Sequence, residues 1–231
     1  MANKGIPFNP LDRQHLSFSV VQAMLAQTPH PLADLPWFGG VGLYAVYYTG
    51  RLACYAALSA ANRNGKFALP IYVGKAVSDG ARIAVGGTDT ASFALQKRLR
   101  EHAKSVAQAE NLDAADFQCR FLVVDDIWIP LGESLLIAKF APVWNTIVAG
   151  FGNQNPRNRR RADAKPRWDQ LHPGRPWASG LAAQPISAEE IAREAESYLR
   201  DFTIPTSQLV EVAPAMSIPP AVVFGNDETK V

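Results

Sequence analysis

Gly42-Leu43-Tyr44 and Tyr72-Val73-Gly74 each carry a phenol inside a strand-like segment. Arg98 and His102 follow, four residues apart, so on a helix they share a face and can point together into a cleft. Glu133 comes next, and Asn145 stands twelve residues later at the end of Pro142-Val143-Trp144-Asn145. Two phenols, a guanidinium, an imidazole and a carboxylate suit the hydrolysis of a phosphodiester. That reaction needs a water nucleophile, a base, cationic relief for the pentavalent transition state and a stabilised leaving alkoxide.

The elements that must position these groups are a small sheet and flanking helices. Val41–Tyr48 is β-branched and aromatic, is bounded by glycine, and reads as a strand; Phe67–Gly74 and Phe117–Val124 read as a second and a third. Helices are predicted over about 17–27, with Phe18, Val21, Met24 and Leu25 on one face; over 91–109, capped by Asp89 or Thr90; and over 132–141, closed by Pro142. The middle helix carries an apolar stripe of Leu95, Leu99, Ala103 and Val106. Ser187 and Glu190 form a capping box that opens a last amphipathic helix, with Ile191, Ala195, Tyr198, Leu199 and Phe202 inward. Residues 29–36 and 78–89 read as loops, 50–68 give no clear signal before a turn at Asn62-Arg63-Asn64-Gly65, and the tail from Pro205 reads as extended. The fold class is therefore α+β, with a three-stranded antiparallel sheet. Period-two alternation puts Tyr44 on the sheet face opposite Tyr47, and Tyr47, Tyr48 and Tyr55 are expected in the core.

Hydrophobic residues make up 48% of the 231, enough for a sizeable core and against wholesale disorder. The net charge of +2 hides a local concentration: residues 157–175 carry +5, leaving −3 for the remainder. Such a run is expected of a surface that faces phosphate. Arginine outnumbers lysine 15 to 8, and its planar fork suits phosphates and guanine edges. Cys54 and Cys119 have no CxxC partner, so neither a zinc site nor a disulfide framework is expected, and both read as buried thiols of a reducing cytoplasm. The first residues lack the apolar stretch of a secretory signal, and no segment approaches the ~20 apolar residues of a membrane span. One cytoplasmic domain is expected: a core of about 40–146, an N-terminal extension of 1–39, and a basic loop, helix and tail over 147–231.

The order strand-Tyr, strand-Tyr-Val-Gly, helical Arg, helix-borne Glu and late Asn resembles the GIY-YIG nuclease superfamily. Gly74-Lys75-Ala76 and Pro142-Val143-Trp144-Asn145 strengthen the match, and Gly150-Phe151-Gly152-Asn153 with Leu171–Trp177 is similar to one branch, the type II restriction endonucleases that cut CCGCGG. The 27 residues between Tyr44 and Tyr72 and the presence of His102 also agree with that branch. The resemblance implies a GIY-YIG fold and a metal-dependent cut in double-stranded DNA. It also implies a cognate methyltransferase in the same system. A palindrome served by one active site per chain implies a homodimer.

The resemblance makes Tyr44 the general base, with Tyr72 and His102 orienting it or relaying its proton. His102 is the rival base, since an imidazole titrates near neutrality. Arg98 would grip the scissile phosphate. Glu133, the only carboxylate of the set, cannot build a paired-metal site, so one hard divalent ion, Mg²⁺, is expected there. Asn145 would bind a phosphate or brace the site, and Lys75 would touch backbone phosphate or remain solvated. Arg157, Arg159, Arg160, Arg161, Arg167 and Arg175 are the candidates for DNA contact, with Arg175 presented by a Pro-braced loop. His15, His30 and His172 lack metal-ligand spacing and receive no catalytic role. Two other readings fit parts of the pattern: a nuclease of the same superfamily for repair or homing, and a non-catalytic nucleic-acid-binding module.

Overall fold

The computed structural model describes residues 12–78, 92–153 and 164–201. Along the chain run α1 (Arg13–Leu25), β1 (His30–Pro31), β2 (Gly42–Tyr48), α2 (Ala56–Asn62), β3 (Tyr72–Ala76) and α3 (Ala94–Gln108). After these come β4 (Phe117–Val123), α4 (Ile129–Phe140), α5 (Val143–Thr146), α6 (Arg167–Leu171) and α7 (Ala188–Asp201).

Among the described residues four antiparallel strands, not three, form the sheet, in the order β1-β4-β2-β3. The extra strand is His30–Pro31, paired with Cys119 and Gln118 inside a segment read from sequence as loop. Two residues are too few to show alternation, and a proline is tolerated because the strand lies at the edge.

Every residue of β2 is buried, because both faces of the sheet are covered. Tyr44, Val46 and Tyr48 face a cluster with Leu95, Leu99 and Val106 of α3. Leu43, Ala45 and Tyr47 face Val21 and Met24 of α1 and Leu136 and Phe140 of α4. Tyr44 and Tyr47 thus lie on opposite faces, as alternation requires. Phe18 does not join the core and is 55% exposed. The buried stripe of α1 is centred between Val21 and Met24, about a quarter turn away at ~100° per residue.

The unclear stretch after residue 50 folds as a 3₁₀ turn and α2. At its end the Asn62 side chain donates to the carbonyls of Tyr48 and Leu69 and accepts from the Leu69 amide. The turn that follows needs left-handed backbone at Asn64 and Gly65 (φ 57° and 73°), which these residue types supply.

Helix α4 starts three residues earlier than expected, with Pro130 in its first turn. Gly132 lets it approach β2 closely, because a β-carbon there would meet Leu43 Cδ1 at 2.5 Å. The capping box of α7 is made: Ser187 and Glu190 each accept the other's amide. Both cysteines are free and buried, and burial pushes the thiols up to about 11 (Cys54) and about 12 (Cys119). Among the described residues no helix is long and apolar enough to cross a membrane. The expected loop over 79–89, the residues Asp89 and Thr90 expected to cap the helix after it, Phe202 and the tail lie outside the described residues.

Candidate active site

The site is built around β3, the edge strand on the far side from β1. Tyr44 pairs with Gly74 and Val46 with Tyr72, which puts both phenols on the α3 face of the sheet with ring centroids 6.2 Å apart. Gly74 has a local reason: a β-carbon there would collide with the Tyr44 hydroxyl. From α3, His102 reaches the same point, with Nε2 2.7 Å from the Tyr44 hydroxyl.

His102 is fully buried, stacked on Phe151 at 4.4 Å and edge-on to Tyr72 at 5.3 Å. Among the described residues its Nδ1 has no hydrogen-bond partner. Burial, reinforced by the charges of Arg98 and Arg175, holds the imidazole well below its ordinary pKa. Burial and the neighbouring Tyr72 hold Tyr44 well above that of a phenol, against the pull of Arg98. Both partners therefore rest uncharged at neutral pH.

Arg98, one turn before His102, donates from Nη2 to the Gly152 carbonyl (2.5 Å) and from Nη1 to Glu101 (3.1 Å). Its side chain stays about a quarter exposed and so can meet a ligand. Gly152 must be small, since a β-carbon would lie 2.6 Å from the Tyr72 hydroxyl and 3.4 Å from Arg98 Nη2.

Glu133 approaches from α4, on the other face, and pairs with Lys75 Nζ at 2.9 Å. Its charge is felt by Tyr72, whose pKa is raised by burial, lowered by Arg98 and raised by Glu133. The groups thus meet around the edge of β3. Glu133, Lys75 and Arg98 form an accessible rim, and the Tyr44–His102 pair lies beneath it.

Asn145 is a brace. Its side-chain oxygen accepts from the Val73 amide and its nitrogen donates to the Val73 carbonyl, both at 2.8 Å. One amide side chain so completes the pairing of an edge strand and ties β3 to α5.

The expectation that Arg175 faces DNA is corrected by the structure: the residue is 1% exposed. Asp169 accepts from its Nε at 2.7 Å and its Nη2 at 2.5 Å, and the carbonyls of Gly150, Phe151 and Asn153 accept its remaining donations at 2.8–3.1 Å. Trp168 and Trp177 flank the guanidinium at 4.4 and 4.8 Å. Arg175 thereby fixes the segment that brings Phe151 onto His102 and the Gly152 carbonyl onto Arg98. A run of arginines gave no sign of this, because the paired carboxylate and the carbonyls are supplied by the tertiary fold. Replacing Arg175 by alanine is expected to cost about 3–5 kcal/mol, since the buried carboxylate of Asp169 would lose its cationic partner. Urea unfolding measures this, and a loss under ~1 kcal/mol would contradict the role. Lysine should not rescue it, having no planar fork.

Arg167 is likewise engaged within the chain, in an ion pair with Glu194 of α7. His172 is buried between the Tyr55 hydroxyl (2.8 Å) and Asn111 Oδ1 (2.9 Å), and burial holds it neutral with its pKa lowered to about 3. Arg157, Arg159, Arg160 and Arg161 lie outside the described residues. Sequence reasoning also missed Phe151 and Gly152 as parts of the site; the only available signal was the spacing of Gly150-Phe151-Gly152.

No curated protein matches the chain. The family model of the Eco29kI GIY-YIG domain, a restriction endonuclease family, matches residues 36–199, which contain every group of this site. The chain belongs to the Eco29kI GIY-YIG family and is a nuclease of the restriction type.

Proposed function

We propose that the chain is a type II restriction endonuclease that makes Mg²⁺-dependent double-strand breaks at the palindrome CCGCGG. On this reading it acts as a homodimer beside a cognate methyltransferase. The observation that carries the reading is the 2.7 Å contact between Tyr44 and His102 Nε2, beneath a rim that offers both Arg98 and Glu133. Tyr44 takes the proton of the attacking water and His102 takes that of Tyr44, so neither has to be ionised beforehand. Arg98 holds the scissile phosphate and offsets the charge that grows on it. Tyr72 packs edge-on against both His102 and Phe151, which stack on each other, and keeps the imidazole in place.

The donor set fits one divalent ion. Glu133 is partly exposed, and its carboxylate has a lysine partner that a cation can displace. Among the described residues no group of three His, Cys, Asp or Glu side chains could hold a metal alone, so substrate phosphate and water would complete the shell. The ion would stabilise the leaving oxygen.

Incubation with plasmid, with Mg²⁺ and then with EDTA, tests the proposal. Discrete fragments that require the metal and end at CCGCGG are the expected result. Random nicks would favour a repair-type nuclease, and a gel shift without cutting would favour a binding module.

A further inference from the structure

The outer face of α3 carries a second feature. Lys97, Arg100, Glu101 and Lys104 recur at i, i+3, i+4 and i+7, so they share a face away from the buried Leu95, Leu99 and Val106. With Trp37 and Phe93 they line an open groove of about 490 Å³. Both aromatic residues are 43% exposed, unusual for rings of this size, and they pack on each other at 4.8 Å. The Arg100 guanidinium lies 5.4 Å from the Trp37 ring centre.

This wall is held in place by its surroundings. Phe38, next to Trp37, is buried and stacked on Phe121 at 3.8 Å. Gln96 donates to the Pro36 carbonyl at 2.8 Å, and Gly40 bonds Ser92 and Leu95 through its backbone. Trp37 is thus kept outward by anchors on both sides.

We propose that this groove binds the sugar–phosphate backbone of duplex DNA beside the cut site, an inference that rests on the nuclease reading. Three cations face it against one carboxylate, and Glu101 is already paired with Arg98. That pairing makes the groove continuous with the site of cleavage. Lys97 to Lys104 spans ~10 Å of helix, about three base-pair rises of ~3.4 Å measured along the DNA axis. Trp37, Phe93 and Arg100 already pack on one another, which leaves N–H donors and ring edges for phosphate and sugar rather than a free face for a base. A self-complementary contact with a second copy would set cations against cations.

Binding of the full chain to a mixed-sequence duplex in EDTA, measured by anisotropy across a salt series, tests this. Arg100→Ala and Lys104→Ala should each lower the slope of log K against log salt by about 0.9, and the double variant by about two. Trp37→Ala should weaken binding several-fold with the slope unchanged. Unaltered slopes in variants that fold normally, alongside a wild type that binds, would overturn the groove and spare the nuclease reading. Conversion of a wild-type dimer to a monomer by these substitutions would overturn it in favour of a subunit contact. A wild type that neither binds nor cuts DNA would overturn both.

Discussion

Glu133→Gln is expected to slow single-turnover cleavage by about 10³-fold or more while DNA binding is kept. Glutamine matches the shape of glutamate and removes only the charge. A metal held by one carboxylate supplies several kcal/mol of transition-state stabilisation, and each 1.36 kcal/mol is tenfold in rate. Affinity for DNA should hold or rise, because a negative charge leaves the rim and the partner ammonium of Lys75, 2.9 Å away, becomes free for phosphate. The competing account makes Glu133 a surface carboxylate that gains from the helix dipole. Its position weakens that account, because α4 begins at Ile129 and the first turn holds no acidic residue. Gel shift and rapid-quench cleavage on the same duplex separate the two accounts. A variant that cuts at the wild-type rate would end the metal role.

The positions of these groups were legible wherever one local rule governed them. The alternation of β2 separated Tyr44 from Tyr47, and the helical period of α3 joined Arg98 to His102 and buried Leu95, Leu99 and Val106. What escaped was set by partners distant in sequence. Arg175 lies within a basic run, yet its neighbours are Asp169, three carbonyls and two tryptophans brought together by the turn at Gly174. There φ is 130°, and a β-carbon would strike the Gln108 carbonyl. Asn145 could be read from sequence as a phosphate ligand or as a brace, because only the free edge of β3 shows where its amide is used. Strand β1 was invisible for a simpler reason, since two residues carry no period.

Tyr44→Phe is expected to lower the cleavage rate by about 10²–10⁴-fold, the usual contribution of a positioned proton acceptor. Burial keeps Tyr44 a neutral phenol and His102 a neutral imidazole, so no tyrosinate waits for substrate. In the productive tautomer the phenol donates to Nε2 and the ring proton sits on Nδ1, which has no partner among the described residues. Proton transfer from water to Tyr44 and from Tyr44 to His102 must then run together, and the entering phosphate supplies the negative charge that steadies the imidazolium. Two measurements follow from this coupling. His102→Ala should be as impaired as Tyr44→Phe, and the double variant no worse than the poorer single, because the pair acts as a unit. The rate should also be flat from about pH 6.5 upward, since His102 becomes charged only well below that value. A preformed tyrosinate would instead make the rate climb about tenfold per pH unit towards pH ~10. Normal cleavage by Tyr44→Phe with a dead His102→Ala would make the imidazole the direct base. Geometry argues against that outcome, because the contact with Tyr44 takes up Nε2, the ring nitrogen that would have to accept the water's proton in this tautomer.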